Sequence, residues 1–234
     1  MVQTALVPVL VALQIVDPMA KVYVYVVARD FGFAPNPFHG YCSLATCKPG
    51  IRSTARIGNW IIGLGGSRLN ATGRCVFAMK VTGKINYNEY WTNPIYNDKK
   101  AIRNGSKKML VGDNIYFNNN HIWQQAHSHH SKIDGSINNY NLNRDTKSSN
   151  VLLSNHFYYF GNKAPIIPPK ILSDLGYRNM VGHSIYIDTA DELIKWLEVV
   201  YKDSLNLVLS DPFDFDNSDV HYSVETNKLT KSTD

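Results

Sequence analysis

One irregular stretch of the chain, residues 29–52, contains two cysteines and three basic side chains in the sequence RDFGFAPNPFHGYCSLATCKPGIR. Cys47 could be a nucleophile if a histidine from elsewhere in the chain lay beside its sulfur. It could equally be an inert, packed thiol, because cysteine is among the most often buried residues. Lys48 and Arg52 could hold a phosphate or a carboxylate, the arginine in bidentate fashion. These residue types indicate a binding site for an anion, with a thiol available for chemistry.

Side chains that could recognise a flat ring lie in the same stretch and beyond it. Phe31, Trp60 and Trp91 could stack on a nucleobase. Asp30 and Asn36 could contact the edge of a base, which offers both donors and acceptors. A long loop of such apolar composition is typically functional, although its rings could instead plug the space beneath a sheet. We predict that these five residues, together with the two basic side chains, bind a nucleotide.

Four of the eight histidines cluster in residues 121–130, which read HIWQQAHSHH. His127 or His129 could act as a general acid or base, since histidine titrates near neutral pH. A metal site that includes Cys42 and Cys47 is an alternative, but a Cys-x4-Cys spacing without a second cysteine pair is not typical of zinc. A solvated polar loop is the simplest interpretation. For an enzyme, we predict Cys47, His127 and His129 as catalytic residues, and we predict no metal.

The composition fits one globular protein without a disulfide framework. The 234 residues are 44% hydrophobic and carry a net charge of +5, a mild excess that suits a phosphate-bearing partner. Three cysteines are an odd number, which predicts reduced thiols in a cytoplasmic protein. The run 99–108, KKAIRNGSKK, contains five basic residues and no acid, so it could meet a nucleic-acid backbone or form a solvated face. Motifs of P-loop, dinucleotide-binding and zinc-protease enzymes are absent from the sequence.

The first 18 residues differ from the rest of the chain. The run 1–17 is largely apolar, has no basic residue and ends in one acid. It is therefore a poor signal peptide and is too short to cross a bilayer. We predict an upstream extension or a mis-assigned start at 1–18, with a membrane or partner anchor as the alternative, and no membrane partner for the domain that follows.

Apolar, β-branched runs predict four strands, at 21–29, 56–66, 74–85 and 150–161. One amphipathic segment, 190–203, predicts a helix with Thr189 as its N-cap, because acids occupy its first turn and apolar residues recur on one face. No other segment shows a helical period of comparable length. The pattern predicts an α+β fold with one late helix.

Two polar segments complete the organisation of the chain. Residues 118–150 are rich in asparagine and predict a long loop. The tail 211–234 is acidic and then polar, and it is expected to fray. We therefore predict a single domain over 19–210 with a mostly antiparallel sheet.

The segment VYVYVVARDFGFAPNPFHGYCSLATCKPGIRSTARIGNWIIGLGGS resembles the opening of the nucleotide modification associated domain family, second type, which occurs in bacteria and phages. The resemblance extends from about Lys21 to Gly161, and it implies a role in DNA base modification or in phage conflict. At Gly58-Asn59-Trp60 the family pattern has an acid in the middle position, so acid–base work by Asn59 is not expected. The region after Ile57 is also similar in style to PUA-like barrels of the ASCH and EVE type, which implies a barrel-like sheet.

These observations predict a nucleotide- or nucleic-acid-binding protein that recognises, or helps to make, a modified base. One alternative is an enzyme on a nucleotide or base that uses Cys47 or a histidine of the 121–130 segment. Another is a non-catalytic subunit that binds proteins encoded in the same operon. The sequence indicates no particular cofactor.

Overall fold

The computed structural model describes residues 20–178, 182–186 and 189–231. The predicted extension at 1–18 lies outside the described residues. The strands are β1 (Val22–Val27), β2 (Cys42–Leu44), β3 (Trp60–Gly65), β4 (Cys75–Lys80), β5 (Gly83–Asn86), β6 (Tyr116–Asn119), β7 (Ile122–Gln125), β8 (Asn150–Ser154), β9 (Phe157–Tyr159), β10 (His183–Tyr186), β11 (His221–Ser223) and β12 (Lys228–Thr230). The α-helices are α1 (Pro49–Thr54), α2 (Tyr87–Thr92), α3 (Lys107–Leu110), α4 (Asn139–Asp145), α5 (Pro169–Asp174) and α6 (Asp191–Val200).

The central sheet has the strand order β10-β1-β3-β4-β9. Its β1 and β3 pair in parallel, and every other neighbouring pair is antiparallel. The predicted strands at 21–29 and 56–66 are confirmed as β1 and β3. All six residues of β3 and five of the six residues of β1 are buried, as expected for continuous apolar runs.

Each of the other two predicted strands is in fact two strands. The run 74–85 divides into β4 and β5, and the run 150–161 divides into β8 and β9. In both cases one strand joins the central sheet and the other joins a second sheet of order β2-β8-β5. The sequence pattern of these two runs does not show where the chain passes from one sheet to the other. Strands β4, β8 and β9 are mostly buried, whereas β5 is only partly buried.

The strands of the described residues form open sheets, and no closed barrel is found among them. The fold is α+β with mostly antiparallel sheets, as predicted, but the PUA-like barrel does not appear. In the described part of the chain, no helix has the length and apolar character needed to cross a membrane.

The predicted late helix is confirmed as α6, which buries Leu193 and Leu197. Its N-cap is Ala190 rather than Thr189, and no side chain caps it. The prediction of a single helix was wrong, since α1 to α5 precede it. Each of those five helices has seven residues or fewer, which is too short to display a helical period.

The segment 118–150 was also predicted incorrectly, because it is not one long loop. It contains a hairpin of β6 and β7 and the helix α4. The side chain of Asn138 caps α4 by accepting from the Asn141 amide, so part of the asparagine content serves helix initiation. Two residues of the candidate site described below, His130 and Asp145, lie in this segment.

The C-terminal segment folds back onto the domain instead of fraying. Phe215 and Val220 belong to a second apolar core, which also contains Phe31, Phe33 and Phe38. Beyond them, β11 and β12 pair as an antiparallel hairpin. The Tyr222 amide donates to the His129 carbonyl at 2.7 Å, so this hairpin is attached to the histidine segment.

Candidate active site

Three side chains from separate parts of the chain form a thiol–imidazole–carboxylate series. Cys47 Sγ lies 3.9 Å from His130 Nε2. His130 Nδ1 lies 2.8 Å from Asp145 Oδ2, and it is the donor because a carboxylate accepts. A nucleophile, a base and a third group that orients the base are the parts of a nucleophilic active site.

The backbone of Cys47 is fixed on both sides of its α-carbon. Its N–H donates to Asp145 Oδ1 at 2.8 Å, and its carbonyl accepts from Arg52 Nε at 2.8 Å. Cys47 and Lys48 both adopt left-handed backbone conformations, with φ of 54° and 39°. This conformation is uncommon for residues other than glycine and persists where surrounding contacts enforce it. The turn between β2 and α1 therefore holds the thiol in one position.

Arg52 lies beneath this turn and is fully buried. Besides the Cys47 carbonyl, its guanidinium donates to the carbonyls of Ser148, Asn150 and Asp145. One side chain thus joins the nucleophile's backbone to that of the orienting acid. These bonds occupy the guanidinium, and Arg52 is not among the residues that line the cavity described below.

The histidine and the carboxylate are held by a buried polar network. The Tyr116 hydroxyl donates to Asp145 Oδ2 at 2.8 Å. The His130 carbonyl accepts from Gln125 Nε2 at 3.0 Å and from Asn141 Nδ2 at 2.9 Å. Both the imidazole and the carboxylate are less than about 1% exposed, so each has lost its water and depends on these partners.

Electrostatics favour the charged forms of this pair. Burial alone would lower the pKa of His130, but the negative charges of Asp145 and of the Cys47 sulfur outweigh it and raise the pKa to about 10. Burial would raise the pKa of Asp145, yet the His130 cation, the bond from His130 and the Arg52 charge hold it below its ordinary value. At neutral pH the site therefore contains an imidazolium that can stabilise a thiolate.

The same three side chains could also approach a metal ion. However, His130 Nδ1 and both carboxylate oxygens of Asp145 already form hydrogen bonds. A carboxylate oxygen of Asp145 would have to bind the ion in addition to these hydrogen bonds or in place of one, whereas Cys47 Sγ and His130 Nε2 contact only each other. Zinc sites usually take three or four protein ligands, so the arrangement fits a nucleophile and its base better than a metal centre.

The thiol opens onto a cavity of about 480 Å³. Its walls come from the end of β1 and the residues after it, from residues 47–50, from the histidine segment and from the C-terminal hairpin. Pockets of 300–1,000 Å³ are typical of sites for small molecules. Among the described residues, the lining includes four basic side chains, Arg29, Lys48, Arg68 and Arg144, and one carboxyl group, that of Asp30.

Five of the predicted site residues line this cavity: Asp30, Phe31, Cys47, Lys48 and His129. Asp30 and Phe31 are also largely buried. His129 Nδ1 donates to the Val220 carbonyl at 2.7 Å, and burial lowers its pKa well below the ordinary value. His129 is therefore a neutral residue of the wall, and His130 is the histidine beside the thiol.

The other predicted residues lie elsewhere. Asn36 is fully buried and holds the Val111 carbonyl and the ammonium of Lys99. Trp60 is buried edge-on to the His156 ring and lines a different cavity. Trp91 stacks on Phe117 with ring centroids 4.3 Å apart, and His127 stacks on His221 at 5.4 Å. The structure does not bring these four residues, or Arg52, to the thiol cavity.

Sequence reasoning missed Asp145, Arg144 and Tyr222. Asp145 ends a seven-residue helix inside a segment that was interpreted as a loop. It is one of only two acids between residues 118 and 150. The scarcity of acids in this segment was the feature of the sequence that could have marked Asp145 as a candidate site residue. Tyr222 lay in the segment expected to fray, so no signal favoured it.

Asp30 provides a pH-dependent test of this part of the structure. Burial raises its pKa from 3.8 to about 6, although bonds from Tyr159 and from the Phe213 amide oppose the shift. The folded protein thus binds this proton more tightly than the unfolded chain does. Its stabilising contribution is present below about pH 4 and is lost as the pH rises through 6, which corresponds to about 2–3 kcal/mol.

We therefore expect Asp30→Asn to flatten the fall in the free energy of unfolding between about pH 4 and 7. Chemical denaturation at several pH values measures this slope. Asp203→Asn, at an exposed position, serves as the control and should leave it unchanged. An equal slope in the wild type and in Asp30→Asn would show that the carboxyl does not titrate as the structure implies.

The fold and the site together define an α+β protein with a thiol–histidine–aspartate site in a basic cavity. The chain belongs to the family described as nucleotide modification associated domain 2, which matches residues 19–219. This confirms the resemblance seen in the sequence. No curated protein and no solved structure matches the chain.

Proposed function

We propose that this protein is a thiol-dependent enzyme that modifies a nucleotide, with Cys47 as nucleophile and His130 as acid and base. The observation that carries the proposal is the contact of 3.9 Å between Cys47 Sγ and His130 Nε2, with Asp145 bound to the far side of the imidazole. A sulfur packed only for structure requires neither a base nor a carboxylate that orients that base.

The proposed chemistry has two halves. The Cys47 thiolate attacks an electrophilic carbon, and a new C–S bond forms. The electron pair of the bond that breaks departs with the leaving group, which takes the proton from His130 Nε2. An acceptor then attacks the same carbon and gives its proton to Nε2, and the sulfur leaves as thiolate. Asp145 stays ionised throughout and holds the imidazole in place.

The family description associates the domain with nucleotide modification, and the basic cavity suits a phosphate-bearing substrate. We assign Asp30, Phe31 and Lys48 to binding, because they line the cavity around the thiol. In DNA base modification or in phage conflict, the protein would then make a modified nucleotide as well as bind one. A purely binding protein, or a non-catalytic operon subunit, would use the cavity without a reactive sulfur.

Selective alkylation of the native protein separates these roles. We expect iodoacetamide to modify Cys47 rapidly near neutral pH, since the thiolate is the reactive form. Cys42 and Cys75 are matched internal controls, because both are fully buried. Burial raises the pKa of Cys42 to about 12 and that of Cys75 still further. Peptide mass spectrometry at successive times measures each rate.

Cys47→Ala should abolish the rapid modification while the other two thiols stay unmodified. If native Cys47 reacts no faster than an unactivated small-molecule thiol, the proposed enzyme is wrong and a binding role remains.

A further inference from the structure

Among the described residues, no carboxylate pairs with the positive charge of the thiol cavity. Arg29, Lys48, Arg68 and Arg144 line it, and among the described residues none of the four forms an ion pair with a carboxylate. The carboxyl of Asp30 accepts from Tyr159 and from the Gly32 and Phe213 amides. Uncompensated cations in a concave site raise the local concentration of anions.

Two of these cations, Lys48 and Arg144, are close enough for the charge of one to affect the other. Lys48 follows Cys47 in the chain, and its ammonium lies 4.0 Å from the centroid of the Tyr25 ring. Burial lowers the pKa of Lys48, and the neighbouring Arg144 acts in the same direction against the opposing effect of Cys47. Two cations that share a partly buried site repel each other until an anion binds between them.

Arg29 has a different role from Lys48 and Arg144. One of its terminal nitrogens donates to the carbonyl and to the side-chain oxygen of Asn227 at 2.9 and 3.0 Å. Its guanidinium carbon lies 5.2 Å from the centroid of the Tyr222 ring. Arg29 thus attaches the C-terminal hairpin to the end of β1. The hairpin supplies Tyr222, Val224 and Asn227 to one wall of the cavity.

We propose that the substrate is a free mononucleotide whose terminal phosphate binds between Lys48 and Arg144, with Arg68 at the rim. This inference rests on the proposed function. A terminal phosphate carries up to two charges and suits paired cations, whereas an internal phosphodiester carries one. The cavity has the volume of a small-molecule site, and its walls come from β1, residues 47–50, the histidine segment and the hairpin.

Calorimetric titration of the full chain tests this proposal with three probes. They are the four deoxynucleoside 5′-monophosphates, the matching nucleosides, and a short single-stranded DNA with a 5′-hydroxyl end. We expect at least one monophosphate to bind about tenfold or more tightly than its nucleoside and than the DNA. The preferred monophosphate should also slow alkylation of Cys47.

Arg144→Gln is the main variant, because this side chain is exposed and its loss should not disturb folding. It should weaken binding of that monophosphate about tenfold or more. The control is Lys147→Gln, which removes an exposed cation that does not line the cavity, and it should bind like the wild type. Arg68→Gln tests the contribution of the proposed rim residue, and it should weaken binding of the monophosphate less than Arg144→Gln does.

The outcomes separate this inference from the proposed function. Rapid alkylation of Cys47 combined with equal affinities for monophosphate and nucleoside would overturn the phosphate site and leave the enzyme intact. DNA that binds as tightly as the monophosphate and competes with it would overturn the free nucleotide as substrate. Slow alkylation combined with tight, Arg144-dependent monophosphate binding would rule out the proposed thiol-dependent activity and support the proposed phosphate site.

Discussion

Replacing Asp145 by asparagine is expected to slow alkylation of Cys47 by about tenfold or more at neutral pH. The carboxylate is the main negative charge that keeps the His130 imidazole protonated. Without it, burial dominates and the pKa of His130 falls, so the sulfur loses the cation beside it. That cation lies 3.9 Å from the sulfur, a separation at which the attraction between opposite charges is worth about 1–4 kcal/mol.

The experiment compares second-order alkylation rates of wild type and Asp145→Asn over a range of pH. Asp134→Asn removes an exposed carboxylate from the same segment and should leave the rate unchanged. Because Asp145 also holds the Cys47 amide, His130→Asn provides a second variant in which that bond stays. Rates within about twofold of the wild type in both variants would mean that the imidazole does not activate the sulfur.

The second large effect concerns stability. Arg52→Met is expected to lower the free energy of unfolding by about 4 kcal/mol, because several buried carbonyl groups lose their charged donor at once. Those carbonyls belong to Cys47, Asp145, Ser148 and Asn150. Methionine keeps much of the side-chain volume, so most of the loss reflects hydrogen bonds rather than a cavity.

Urea denaturation at neutral pH measures this difference. Arg56→Met changes an exposed arginine four positions further along the chain, and it should shift the free energy of unfolding by less than about 0.5 kcal/mol. If Arg52→Met were as stable as this control, the buried guanidinium would not be the link between the two halves of the site.

The position of Arg52 shows why the sequence alone did not indicate where several of the predicted residues lie. Its type and its position after Cys47 suggested a contact with a phosphate, and a basic side chain in an irregular segment gives no indication of burial. What decides its role is the meeting of residues 47–52 with residues 145–150, which are about 100 positions apart. That contact depends on the sheet that pairs β2 with β8, and no local pattern reports it.

The site itself was predictable in part. The choice of Cys47 and of the histidine segment followed from residue chemistry, and the structure places the two side by side. The choice among neighbouring histidines did not follow, because His129 and His130 differ only in which carbonyl or carboxylate they meet. Asp145 could not be found, since a triad is assembled in space rather than along the chain.

Like the candidate site, the fold could be predicted from the sequence only in part. Buried strands such as β1 can be predicted from the sequence, because they consist of continuous β-branched and aromatic residues. The short helix α4 and the C-terminal hairpin do not, because their polar sequences gain order from tertiary contacts. Asn141 illustrates this, since its side chain binds the carbonyls of His130 and Tyr222 and the amide of Val224.

The most direct test of the central claim is the protonation of the His130 imidazole, measured from its ring-nitrogen NMR chemical shifts across a pH titration and assigned with His130→Asn. If Asp145 and the Cys47 sulfur hold His130 as an imidazolium, both ring nitrogens stay protonated up to about pH 9 in the wild type, and the proton is lost at a much lower pH in Asp145→Asn. A His130 imidazole that loses its proton near pH 6.5 in the wild type, as a free histidine does, would contradict the account.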